Sequence, residues 1–467
     1  RGQLLMDEGA TIKLNGATAQ LSSDALGTTS TRSAAAGTLN IMNSDGFSLL
    51  GTSEAKAPDA SVAGGTLNMA LSKEGLLDAV DGDQHPYPDA KLRTIRIADT
   101  NEAAKSLNDE RQFGQGVMSA QLTNSSGFDR IGLRADESIQ LNAGVNLRAA
   151  EARAPLQSVV LDAPVLELAG NAPIGTDEHI LQAHHVAIGP ITRLNADAGE
   201  SVKASDRQLS GQRTLIVQAG LIEVNGDTAV QGAKRIDLDA TLDADSARTL
   251  GRQNGEIRFI GQRPMSAALD GDRSLRGQFS FNGALNLTAG VVYATTMSNV
   301  TVQGTEGSTL TVNVPAGGST SQTPLSALAS LALNASTINL DGVIQQPVGQ
   351  LQVTADTLNV GEHARLSVSA EGVTVPVGST VNNTQWVYSA QGAVGDALPT
   401  VDNVAQDISE LPISKQIVLN GKTMSLSSET MLEAQAGGDI AAWQFNPGVG
   451  GSTDTYLRPG VFAVLPN

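Results

Sequence analysis

Two ten-residue stretches decide the fold: Leu331-Ala-Leu-Asn-Ala-Ser-Thr-Ile-Asn-Leu340 and Leu351-Gln-Val-Thr-Ala-Asp-Thr-Leu-Asn-Val360. Both carry apolar residues at positions 0 and +2, Ala at +4, and apolar residues again at +7 and +9. Alternation at 0, +2 and +4 places three side chains on one face of a strand. The jump to +7 breaks that period, so the chain must turn a corner before alternation resumes. A small residue fits at +4, where two strands meet at an angle. The polar residues between, such as Asn334 and Asn339, then point outward.

The same template returns along the chain. It is read at Ile12–Leu21, Val159–Leu168, Leu215–Val224, Leu285–Ala294 and Ile417–Leu426, with a one-residue variant at Ile131–Leu141. A repeat of this kind describes a stack in which each coil cannot bury its apolar face alone and closes it against the next. The expected fold is all-β: a right-handed parallel β-helix (β-solenoid) with loop and short helical insertions.

Four segments follow. Residues 1–126 read as coils with large insertions at 53–63 and 72–112. In the second insertion, Asn101–Gln112 has helical content, with Thr100 or Asn101 as its N-cap. Residues 127–304 read as shaft, 305–323 as a Gly/Ser/Thr-rich excursion holding a strand, and 324–467 as shaft interrupted by an acidic connector at 394–412.

Composition agrees with a thin aliphatic core. Aromatic residues make up 3% of the 467 residues, while Gly is abundant at 49. The formal charge of −18 argues against partners that are themselves polyanionic, so neither nucleic acid nor anionic lipid is expected to bind. No run of 18 apolar residues is present, and direct membrane insertion is not expected. The absence of cysteine rules out disulfides and thiolate metal sites and is compatible with an oxidising compartment. The opening Arg1-Gly-Gln-Leu-Leu5 does not read as a signal peptide, and the chain reads as a piece of a longer polypeptide.

Several residues invite a chemical reading. His179, His184 and His185, beside Asp177 and Glu178, are metal-ligand types, but their spacing does not converge three ligands along a strand. Asp81-Gly-Asp83 and Asp270-Gly-Asp272 resemble fragments of calcium loops and read better as turns. Asp237, Asp239, Asp243 and Asp245, near Arg235, Arg248 and Arg252, could supply an acid/base pair on a polysaccharide-active β-helix, though a solvated outer face explains them more simply. Trp386, Tyr388, Trp443, Phe445 and Tyr456 could stack on sugar rings or plug the core. No catalytic, cofactor-binding or metal residue is assigned, no cofactor is expected, and the chain is not read as an enzyme.

Longer phrases carry a family resemblance. They are Gly127-Phe-Asp-Arg-Ile-Gly-Leu-Arg-Ala135, Leu285-Asn-Leu-Thr-Ala-Gly-Val-Val-Tyr-Ala-Thr-Thr296, Ser336-Thr-Ile-Asn-Leu-Asp-Gly-Val-Ile344, and Gly437–Asp454 with Pro459–Leu465. From about Gly127 onward the chain resembles the filamentous haemagglutinin-like large exoproteins of two-partner secretion systems in Gram-negative bacteria. The resemblance implies a secreted, cell-surface-associated rod, exported through an outer-membrane partner transporter and working in adhesion or filament formation. The implied partners are that transporter, an unidentified cell-surface or glycan receptor, and end-to-end copies of the chain itself. Two other functions stay open: a polysaccharide-active lyase or tailspike-like hydrolase, and a self-assembling extracellular fibre subunit.

Overall fold

The computed structural model describes residues 3–23, 28–72, 93–150, 154–170, 178–191, 209–242, 255–262, 275–316, 324, 326–372, 374–376, 379–381, 385–388, 406–407, 415–435 and 437–441. The chain divides into two compact units. The first comprises Arg1–Pro190, Leu194–Ala219 and Ala229–Ile236; the second comprises Ile191–Arg193, Gly220–Thr228 and Asp237–Asn467. Strands dominate both, and the strands of successive coils pair in parallel, which makes the fold a parallel β-helix.

In the first unit, one row of inward residues runs through Leu39 and Ile41, Leu67 and Met69, Ile131 and Leu133, Val159 and Leu161, then Val186 and Ile188. A second row runs through Ile95 and Ile97, Ile139 and Leu141, Leu166 and Leu168, then Val230. Nearly all of these side chains are buried. The alternation that marks them in sequence is the pleat of the strand, which sends neighbours to opposite faces.

The second unit stacks more regularly. Val300 and Val302 lie beside Leu331 and Leu333, these beside Leu351 and Val353, and these beside Ile417 and Leu419. On the adjoining face, Leu285 and Leu287 pass the row to Leu310 and Val312, then Ile338 and Leu340, then Leu358 and Val360. The two decisive stretches therefore pair residue for residue, one coil apart. Outward amides follow the same register: Asn359 Nδ2 donates to Asn339 Oδ1 at 2.9 Å, and Ser425 Oγ donates to Asn359 Oδ1 at 2.8 Å. The small corner residue earns its place as well. At the third of these coils it is Gly421, where a Cβ would come within 2.7 Å of Met424 Cγ.

Helix α1 (Asn101–Asp109) begins at Thr100, whose Oγ1 accepts a hydrogen bond from the backbone N–H of Ala103 at 3.2 Å. That contact satisfies one of the helix's free amide groups. Ala104 and Leu107 seat α1 against Leu50, Ala98 and Val117.

Two expectations need correction. The template at Ile12–Leu21 does not form a coil. Thr11–Lys13 pairs with Thr52–Glu54, but Ala17–Ser23 folds back as an antiparallel hairpin with Thr28–Ala34, leaving Leu21 54% exposed. Between them these two strands carry one large apolar residue, too little to drive burial in a stack. The expected insertion at 72–112 contains a true coil strand, Thr94–Ala98, whose Ile95 and Ile97 are fully buried. The strand expected within 305–323 is Thr309–Asn313, which pairs in parallel with Ala284–Thr288 on one side and Ser330–Asp341 on the other. The acidic connector at 394–412 lies outside the described residues except for Gln406–Asp407, which pairs antiparallel with Gln385–Tyr388.

Candidate functional site

In the first unit a groove of about 420 Å³ opens on the outer face of the coils. Its floor comes from four parallel strands in register. Gln115, Thr94 and Ser138 follow one another across three of them, and Arg96, Gln140 and Glu167 form a second row two residues further along. Strand alternation explains both rows: Ile95, Ile97, Ile139, Leu141, Leu166 and Leu168 point into the core, so the residues between them must point out. The segment that leaves α1 supplies a wall through Glu110 and Gln112, and Glu137 enters from the turn before Ser138.

The floor is held by its own contacts. Arg96 Nε donates to Gln140 Oε1 at 3.0 Å, and Arg96 Nη2 lies 3.9 Å from the exposed carboxylate of Glu110. The Thr94 and Ser138 hydroxyls lie 3.0 Å apart. Three carboxylates, Glu110, Glu137 and Glu167, line the groove together with one guanidinium, that of Arg96. Chemically it presents hydrogen-bond acceptors and amide groups at regular intervals and only little apolar surface.

A second outward row, in the second unit, is closed. Glu223, Arg258 and Tyr293 lie side by side on three successive strands. Arg258 is 4% exposed and Tyr293 3%. The guanidinium bonds to Glu256 at 2.9 Å and to Glu223 at 3.3 Å, while the Tyr293 hydroxyl donates to Glu256 at 2.7 Å. Burial pushes the Arg258 pKa down, but the negative charge available around it outweighs that, so the net direction is up. Burial, reinforced by the Glu256 carboxylate, raises the Tyr293 phenol well above its usual range, which keeps it a donor.

The residues singled out from sequence are dispersed. His179 is fully buried in the strand Glu178–Ile188, whereas His184 and His185 are half-buried in its middle. Among the described residues no three His, Asp or Glu side chains converge on one point. Asp237 accepts from Asn286 Nδ2 at 2.7 Å, and Asp239 accepts from the Thr241 backbone N–H at 3.1 Å, so both brace the coil. Asp81, Asp83, Asp177, Asp243, Asp245, Arg248, Arg252, Asp270, Asp272, Trp443, Phe445 and Tyr456 lie outside the described residues. Trp386 and Tyr388 fall on a strand of a small antiparallel sheet with Ser379–Val381 and Gln406–Asp407. Neither the groove nor the buried row was singled out from sequence. No known protein family, no curated protein and no solved structure matches this chain.

Proposed function

We propose that this chain is a structural and adhesive shaft segment of a large, secreted bacterial surface exoprotein, exported with the help of an outer-membrane partner transporter. The observation that carries the reading is the residue-for-residue stacking of Leu331–Leu340 on Leu351–Val360, and of the latter on Ile417–Leu426. Each coil adds about 4.8 Å and depends only on its neighbours, so such a stack can extend without limit and provide reach. Its acidic surface suits a chain that must stay soluble during export.

The test is attachment. The labelled 467-residue chain should bind bacterial or animal cells saturably, and that binding should survive moderate salt. Failure to bind any cell would remove the adhesive half of the proposal.

The groove in the first unit favours a second reading, a polysaccharide-active β-helix, because carboxylates and a basic residue lie together on consecutive coils. Release of oligosaccharides from a polysaccharide panel, lost in Glu137→Gln or Glu167→Gln, would establish that reading over the first.

A further inference from the structure

We propose that the corner through Met297, Leu328 and Val348 is a built-in seam, the place where the coils of the second unit part first. The inference goes beyond the shaft reading, which needs a continuous stack but no fixed point at which it yields.

Backbone conformation comes first. Among the described residues, only three that are not glycine have a positive φ: Met297 at 58°, Leu328 at 62° and Val348 at 52°. All three occupy one corner on successive coils. The Met297 N–H donates to the Ala327 carbonyl at 3.0 Å, the Leu328 N–H to that of Pro347 at 3.2 Å, and the Val348 N–H to that of Val368 at 3.0 Å. At the first and third rungs a tight turn closes, the Ser298 N–H on the Thr295 carbonyl and the Gly349 N–H on that of Gln346, each at 2.9 Å. The third residue of each turn is left-handed, a conformation that suits glycine or asparagine and that a Cβ opposes. A β-branched valine opposes it most. Hydrogen bonds between coils therefore hold three bulky residues against their own backbone preference.

A second, independent shortfall lies at the same corner. Gln345 and Gln346 are 2% and 0% exposed, yet Gln345 Oε1 and Gln346 Nε2 have no hydrogen-bond partner among the described residues. A buried polar group left unbonded favours opening, because water then satisfies it. The neighbouring strands Ser330–Asp341 and Gln350–Val360 pair in register without either defect. Strain and unmet hydrogen bonding thus coincide at the corner and spare the strands beside it. Local opening starts where stability is lowest.

The test is hydrogen–deuterium exchange of the full 467-residue chain, read by mass spectrometry. The Met297 and Val348 amides are both hydrogen-bonded, so rapid exchange there reports opening. Peptides covering 294–299 and 345–349 should exchange about a hundredfold faster than those covering 331–340 and 351–360. Val348→Gly and Val348→Asn, which both accept a left-handed backbone, should slow exchange at 345–349 by about fivefold or more. Val348→Ala, which trims the side chain but keeps the Cβ, should not. Melting temperatures at or above that of the wild type check that the first two variants fold.

Corner amides as slow as those of the strands would overturn the proposal. Rapid exchange that neither glycine nor asparagine slows would overturn it too, since strain would not be the cause. Equal slowing by alanine would assign the effect to side-chain bulk, with the same result. Failure of the chain to attach to cells would refute the adhesive reading and leave this one standing.

Discussion

Two outward rows of the β-helix are built alike and end differently. Arg96, Gln140 and Glu167 sit in register on successive coils of the first unit, half-buried along an open groove. Glu223, Arg258 and Tyr293 sit in register on successive coils of the second unit, with Arg258 and Tyr293 almost fully removed from water and Glu223 half-buried. In the closed row the polar groups bond to one another inside the protein: one guanidinium spans two carboxylates and a phenol completes the set. In the open row Arg96 bonds to Gln140, and Glu167 stays only half-buried. An outward row on a β-helix is thus sealed where its polar groups bond to one another under cover, and faces solvent where they stay half exposed.

Both rows depend on the inward residues that set their direction, so the largest effect comes from breaking the alternation itself. Leu333→Asp places a carboxylate in a fully buried position between Val302 and Val353. The lost apolar burial and the unpaired charge together should cost more than about 4 kcal/mol. Urea unfolding followed by tryptophan-independent far-UV dichroism should show the second unit's coils melting far earlier. An unchanged profile would mean that Leu333 does not face inward.

The next effect separates the two rows. Arg258→Met leaves the buried Glu256 without its cation and should cost roughly 3–5 kcal/mol. Arg96→Met removes a hydrogen bond to Gln140 and a 3.9 Å contact with an exposed carboxylate, leaves no fully buried charge unpaired, and should cost less, about 1–2 kcal/mol. Similar losses in thermal unfolding for the two variants would erase the distinction between a closed and an open row.

Tyr293→Phe sharpens the same point at smaller scale. It deletes one hydrogen bond to Glu256 within the buried set and should cost about 1–2 kcal/mol. The phenol's raised pKa gives the sign of its pH dependence. Its contribution is complete below the ordinary tyrosine value of 10.0 and fades as pH climbs through the higher folded value. Wild type and Tyr293→Phe should therefore converge in stability at strongly alkaline pH.

Much of this architecture is legible in the chain because hydropathy alone determines which strand residues face inward. Leu331, Leu333, Ile338 and Leu340 announce a bent strand with one buried face, and Leu351 to Val360 announce the next coil. The strand Thr94–Ala98 could have been found by the same rule, since Ile95 and Ile97 alternate with Thr94 and Arg96. Its alternation is masked because the strand is only five residues long and helix α1 follows it so closely.

The groove is a different matter. Arg96 and Glu167 become near neighbours only once coils of unequal length are brought into register, and no local pattern announces that register. The closed row is hidden for the same reason, with Glu223 and Arg258 separated by 35 residues. Coil length, which carries no hydrophobic signature of its own, decides which outward residues meet.

The smallest effect concerns an ion pair that also links neighbouring coils but lies in water. His363 Nδ1 is 3.0 Å from Asp341 Oδ2, and the His363 backbone N–H donates to Asp341 Oδ1 at 2.9 Å. The imidazole is about half exposed, with Glu362 3.8 Å from Nε2. The hydrogen bond to Asp341 and its charge raise the His363 pKa above its ordinary 6.5, with Glu362 adding to the effect. Partial burial of Asp341 works against its ionisation, but the bonds from His363 prevail and lower its pKa below 3.8. A histidine raised on folding stabilises fully below its unfolded pKa and loses that contribution as pH rises through the folded value. An aspartate lowered on folding contributes above its unfolded pKa and loses that contribution as pH falls. The pair should therefore help most between 3.8 and 6.5. Because solvent screens it, His363→Gln should lower the melting temperature only slightly at about pH 5.5 and not at all at about pH 9. A gap that widened toward alkaline pH would show that His363 acts through its neutral ring, and a gap as large as that of Arg258→Met would show that exposure does not govern what a linked pair on this helix is worth.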